Sequence, residues 1–397
     1  MQTGWTDRRN GAIDMLRGLT MFLMVIVNDF WTVRGIPHWM QHAGTTEDFM
    51  GLADIVFPMF LFAMGLSIPY AIERRFAKGM SGESTVAHIL SRTLALLLMG
   101  VFIVNSEGGF APLLGYGKPL YWVLMVIGFF LVWNRYPEGF RWKRPLQAAG
   151  IAVLVFLALT FRTPQGGYFR SSWWGILGLI GWAYLFCATA WLLARRKPGW
   201  LIPVWIALLA LNLLTTGMRD GTRLIQGRHF ITDFAGALQL GNGSSAIMAL
   251  GGVLTSWAGL RLMEKPESRR ILTGLCAAIL LALSGWAAHQ GWIISKNIGT
   301  LPWCLYVGAI SVAAYTLLGI LDRRDLTKWF TPLRPAGTAT LTVYMMPYLF
   351  YALWETLDPE IPAWLTGGIG FLKCVLFSLL CIGTAAMLGR IGLKLKI

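Results

Sequence analysis

Apolar residues run along this chain in blocks of roughly 17–22, the length of helix that crosses a hydrocarbon core about 30 Å thick. The pattern predicts about twelve spanning helices. They fall near residues 12–32, 51–72, 87–105, 118–134, 146–161, 173–194, 200–217, 243–262, 271–288, 301–321, 336–355 and 365–388. The 118–134 and 146–161 pair has the weakest pattern, so the range is ten to twelve. The fold class expected is all-α, a polytopic helical bundle forming one domain over residues 1–397, with 118–161 as an added hairpin.

The polar breaks alternate in charge. "IERRFAKG", "NRYPEGFRWKR", "ARRKPG", "RLMEKPESRR", "LDRRDLTKW" and the tail "GRIGLKLKI" are basic, and the breaks between them are less so. The positive-inside rule places the basic set in the cytoplasm and, with an even number of spans, both termini as well. No cleavage site follows the first apolar run, so that run is expected to stay as an anchor. The stretch 38–60, "HWMQHAGTTEDFMGLADIVFPMF", then falls on the far side, as does the long loop 218–242.

Composition agrees: 56% of the 397 residues are hydrophobic and 13% charged, against about a quarter charged in soluble domains. The net charge of +15 lies in short clusters between spans, which argues for membrane anchoring and against a nucleic-acid face. The five cysteines lie in or at the edges of apolar runs without a CxxC spacing, and read as small buried hydrophobes. No set of residues has metal-ligand spacing, so no metal is expected.

An ionisable group within a span is costly unless paired or hydrated, so each is a candidate for function. Asp14 and Arg17 share a face at the start of the first span and can pair. Asp54 opens the second span beside Pro58, after a loop that carries His38 and His42. A carboxylate that fixes one imidazole tautomer makes the ring a useful base or nucleophile, which makes His42 and Asp54 a candidate catalytic dyad. Asn28 closes the first span, Arg92 heads the third, and Lys296 and Asn297 stand just before the tenth. Lys296 has no anchoring role on the far side and suits an acyl carbonyl or an anion. His229 in "GRHFITDF" and His38 are candidates for contact with a substrate.

These stretches resemble the transmembrane acyltransferase family of heparan-alpha-glucosaminide N-acetyltransferase and its bacterial homologues. The similarity lies in "IDMLRGLTMFLMVIVN" (13–28), "QHAGTTEDFMGLADIVFPMFLFAMGLSI" (41–68), "RTLALLLMGVFIVN" (92–105), "GNGSSAIMALGGVLTSW" (241–257), "SKNIGTLPWCLYVGAISVAAYTLLGILD" (295–322) and, more weakly, "AGTATLTVYMMPY" (336–348). The resemblance implies transfer of an acetyl group from cytoplasmic acetyl-CoA to an amino sugar or envelope glycan on the periplasmic side of a bacterial inner membrane. It matches the family's catalytic histidine to His42 and its acid to Asp54. Asn28, Arg92, Lys296 and Asn297 match polar positions, and Arg17 with other basic helix ends suits the CoA phosphates. Two departures stand out: "WGILGLIG" (174–181) puts Gly178 and Leu179 where the family is polar and basic, and Ala339 replaces an asparagine. His42 serves either as base or as acetyl carrier. Expected partners are acetyl-CoA, the glycan acceptor and membrane lipid, without nucleic acid, and a homodimer is left open. The alternatives are a multi-span transporter or flippase for an envelope precursor, or a non-catalytic family member.

Overall fold

A computed structural model describes residues 10–225, 227, 229–358 and 360–397. Among these the secondary structure is helical, with β-pairing limited to two isolated bridges. The helices are α1 (Gly11–Asn28), α2 (Leu52–Ala77), α3 (Gly82–Glu107), α4 (Lys118–Trp133), α5 (Lys143–Thr160), α6 (Ile176–Ala194), α7 (Leu201–Thr215), α8 (Phe230–Ala237), α9 (Ser244–Arg261), α10 (Glu267–His289), α11 (Leu301–Arg323), α12 (Arg334–Thr338), α13 (Thr340–Leu357) and α14 (Gly367–Arg390). Each of the twelve apolar segments holds a helix; α8 and α12 are additions, too short to span. Nine helical stretches among the described residues are long and apolar enough to cross a bilayer. The chain is a multi-pass helical membrane protein.

The backbone gathers into two compact units. One comprises described residues 10–20, 37–90 and 182–332; the other comprises 21–36, 91–181 and 333–397.

In the first unit α2 packs on α9, and α11 on both. Small residues set the approach of α2 and α9: a Cβ on Gly65 would overlap the Ala249 carbonyl, and one on Gly252 would overlap that of Phe62. Without a hydrophobic drive between helices in lipid, such backbone-to-backbone van der Waals contact is a main source of association. The long neighbours α10 and α11 meet at Gly285 with Tyr306 and at Gly274 with Thr316, an antiparallel pairing. At the start of α1, the Gly11 amide donates to Asp322 at 3.2 Å, and Asn10 donates to the hydroxyls of Tyr70 and Tyr315. The first of these satisfies an N-terminal amide that α1 cannot satisfy itself.

Pro58 lies inside α2. Its missing N–H leaves the carbonyl four residues earlier, that of Asp54, without a helical donor. The indole of Trp303, in the first turn of α11, donates to that carbonyl at 3.1 Å. The bond is buried and ties the start of α2 to the start of α11.

The second unit is built on α4, α5, α13 and α14. Helices α4 and α5 form the hairpin expected over 118–161, pressed together where Gly128 meets Leu154 and Gly150 meets Leu131. Gly178, one of the departures noted above, lies where α6 meets α3: a Cβ on Gly100 would stand 2.8 Å from the Gly178 amide nitrogen. Ala339 is buried at the junction of α12 and α13. This unit also buries an ion pair: Lys373 of α14 donates to Asp29 at 2.7 Å and to Thr32 at 2.6 Å, and Tyr351 donates to Asp29 at 3.2 Å. Asp29 is completely buried, a placement in lipid that is tolerable only because the charge is matched.

Candidate active site

The candidate site lies wholly in the first unit, where residues 38–54 and 289–300 meet. Asp54 occupies the first turn of α2 and accepts from the Gly51 amide at 3.1 Å, a carboxylate cap on the helix start. The same Oδ2 accepts from the Ala43 amide at 2.9 Å, and Oδ1 takes the Nδ1–H of His42 at 2.7 Å. An ionised carboxylate can only accept, so the ring proton sits on Nδ1 and the lone pair on Nε2. Asp54 is 1% exposed, whereas the His42 side chain is 44% exposed. A buried carboxylate thus holds one tautomer of an open imidazole, the arrangement that hydrolytic triads use to make a base.

The extended segment through His42 reaches Asp54 because Gly51 is small. A Cβ there would overlap the Gln41 carbonyl, so this residue type and no larger one lets the segment lie against the mouth of α2.

Lys296 comes from the other side of the site. Its ammonium nitrogen lies 3.1 Å from Nδ1 and 3.5 Å from Nε2 of His42, and 4.0 Å from Asp54 Oδ1. Near-equal distances to both nitrogens put it beside the ring and off the axis of either one. Burial lowers its pKa, and the charge of Asp54 opposes only part of that shift. Lys296 is presented by a tight turn: the Gly299 and Thr300 amides both donate to the Ser295 carbonyl, and Gly299 has φ +70°, a value that glycine tolerates best. Asn212 of α7 and Asn242 both donate to the Gly299 carbonyl, at 2.8 and 3.2 Å.

Asn297 donates to the carbonyl of Ala43 at 3.2 Å, and the hydroxyl of Ser295 to that of Thr45 at 3.2 Å. Asn297 therefore holds the backbone next to His42. A second clamp centres on Asp48, which accepts from the Ile294 amide at 2.7 Å, His289 Nε2 at 2.8 Å and Arg219 at 2.6 Å. Burial works to raise the Asp48 pKa, but these donors outweigh it and hold the carboxyl below its usual range. Neither Asp48, His289 nor Arg219 is among the candidates from sequence. The missing signal is pairing between loops far apart along the chain.

Of the other candidates, His38 shares the 38–54 stretch and the rest lie elsewhere. His38 pairs with Glu47 at 2.9 Å and stacks on Phe49 at 4.7 Å. His229 uses Nδ1 to accept from the Ile231 amide at 3.2 Å, capping α8. Arg17 bonds Asp14 at 2.6 Å, the expected intrahelical pair. Asn28, the exposed last residue of α1, and Arg92 of α3 belong to the second unit.

Residues 9–222 match the family model described as a domain of unknown function, DUF5009. The chain belongs to that family. It is also 28% identical over 383 residues to heparan-alpha-glucosaminide N-acetyltransferase of Mus musculus, covering 88% of this chain and 55% of the mouse protein. The protein of the same name from Homo sapiens is 33% identical over 103 residues, covering 26% of this chain and 15% of the human one. This chain therefore spans about half the length of the mouse relative, and its family stretch includes His42 and Asp54 but not Lys296.

Proposed function

We propose that this protein is a membrane acetyltransferase. It takes an acetyl group from acetyl-CoA on the cytoplasmic face and passes it to an amino sugar or envelope glycan on the other face of a bacterial inner membrane. The topology we assign to it is a single domain of twelve crossings with both termini cytoplasmic and 118–161 as an added hairpin. The observation that carries the reading is the Asp54–His42–Lys296 constellation: a buried acid, an exposed imidazole held by it at Nδ1, and a lysine against the ring. The two relatives named as N-acetyltransferases point the same way.

His42 Nε2 takes the proton of the acceptor amine as it attacks the thioester, or itself takes the acetyl group and passes it on. Asp54 stabilises the imidazolium in the first route and keeps Nε2 nucleophilic in the second. Lys296, when protonated, faces the oxyanion of the tetrahedral intermediate. Arg92 and Asn28, which match polar family positions, and Arg17, a basic helix end, are assigned to CoA, and the loop histidines His38 and His229 to the acceptor.

The test is release of CoA thiol by the purified protein in nanodiscs, given acetyl-CoA with and without glucosamine. Wild type should release thiol, and His42→Ala should lose about 10²–10⁴ of the rate. Turnover unchanged in that variant removes His42 from the chemistry. A wild type that is inert with every amino sugar favours transport of an envelope precursor.

A further inference from the structure

The Lys296 amine stands directly against the His42 ring. Its nitrogen is within 3.5 Å of both ring nitrogens. An acyl carbon placed where a nucleophile beside Nε2 can reach it is within reach of Lys296 too, at the high effective concentration of a group fixed in the same site. The surroundings do little to hold this lysine as an ammonium ion. The charged and titratable groups facing it are His42, on the loop, and Asp54, on α2. Asp54 lies 4.0 Å away and is already engaged by three closer donors at 2.7, 2.9 and 3.1 Å. The side chain is 24% exposed, and its burial favours the neutral amine. A lysine attacks through its neutral form, and this shift makes that form easier to reach from the resting ammonium.

We infer that Lys296 is a self-acetylation site: without an acceptor, its amine takes the acetyl group from the thioester brought to His42. This rests on the acetyltransferase reading above. In the step, the Nζ lone pair attacks the thioester carbonyl, the C–N bond forms and the C–S bond breaks. The amine proton passes to Nε2 of His42 and then to the departing CoA thiolate, which leaves as the thiol. The product is a neutral amide against the catalytic ring. The modified chain has lost the cation at the oxyanion position and carries added bulk beside Nε2, so it is inactive. An acceptor sugar in place competes for the same acyl carbon and protects the enzyme.

The experiment incubates the full-length protein in nanodiscs with radiolabelled acetyl-CoA and no acceptor. It follows thiol release, locates acetyl groups by peptide mass spectrometry, and then measures transfer to glucosamine. One acetyl group per chain is expected on Lys296, accumulating with loss of transfer activity and suppressed by glucosamine. Labelling of the chain should fall about tenfold or more in His42→Ala, which removes the proton acceptor, and in Lys296→Arg, which keeps charge but removes the nucleophile. Each variant is first checked for a monodisperse elution profile. If wild type transfers acetyl to glucosamine while Lys296 stays unmodified, the self-acetylation inference is overturned and the acetyltransferase reading stands. Labelling of Lys296 in His42→Ala at the wild-type rate overturns the inference as well. Absence of both thiol release and transfer overturns both.

Discussion

Replacing Asp54 by Asn tests the site at its most constrained point. The carboxylate meets three donors: His42 Nδ1–H at one oxygen, and the Ala43 and Gly51 amides at the other. An asparagine has one acceptor oxygen and one donor group. Turning its oxygen to His42 would set its NH₂ against two backbone N–H groups at a 1% exposed position, at about 1–3 kcal/mol for each buried donor left unmade. The amide therefore turns the other way, with oxygen to the backbone and NH₂ to Nδ1. His42 must then accept at Nδ1 and carry its proton on Nε2, the wrong tautomer for a base. By analogy with Ser-His-Asp triads, kcat should fall by about 10⁴, while the loss of one charge-assisted bond costs stability only about 1–3 kcal/mol. The assay is thiol release with glucosamine, alongside thermal unfolding and ¹⁵N chemical shifts of the imidazole. A variant that unfolds near the wild-type temperature and retains turnover within about tenfold of wild type would refute the tautomer argument.

The Asp48 clamp makes a prediction about acid. Its folded pKa lies below the ordinary 3.8, so the stability it contributes is complete above that value and is lost as pH falls through the depressed one. The thermal midpoint of wild type should drop through that window, and Asp48→Asn should start lower and respond less; equal acid slopes would count against the clamp. In the second unit, Lys373→Met leaves the buried Asp29 carboxylate without its cation, at a cost of about 3–5 kcal/mol. Adding Asp29→Leu to that variant should recover much of the loss in chemical denaturation, and purely additive losses would mean that the pair is not coupled.

Much of the helical layout is legible in the residues because lipid allows few alternatives. Apolar length forces helix, and each of the twelve blocks became one. The short helices α8 and α12 carry too little periodic signal to stand out. The contact between His42 and Asp54 is also legible, since an acid in the first turn of a helix is well placed to hold the segment that leads into it. Lys296 stands out by sequence for its charge at the edge of a span, but not for its partner 254 residues away. Asp48 with Arg219 and His289 is invisible for the same reason: nothing local marks which loop an exposed acid will clasp. His229 shows a local use that its place in a loop does not announce: its Nδ1 caps α8.

The indole bond to the carbonyl freed by Pro58 has a bearing on how anything reaches the imidazole. It pins two neighbouring rods at the same height as the acid that orients the ring, so tilting or sliding either rod would break a buried bond and misplace the acid together. Admission to the ring thus falls to the segments draped over those rods, 38–50 and 289–300, whose clasp at Asp48 is made of exposed, water-exchangeable contacts.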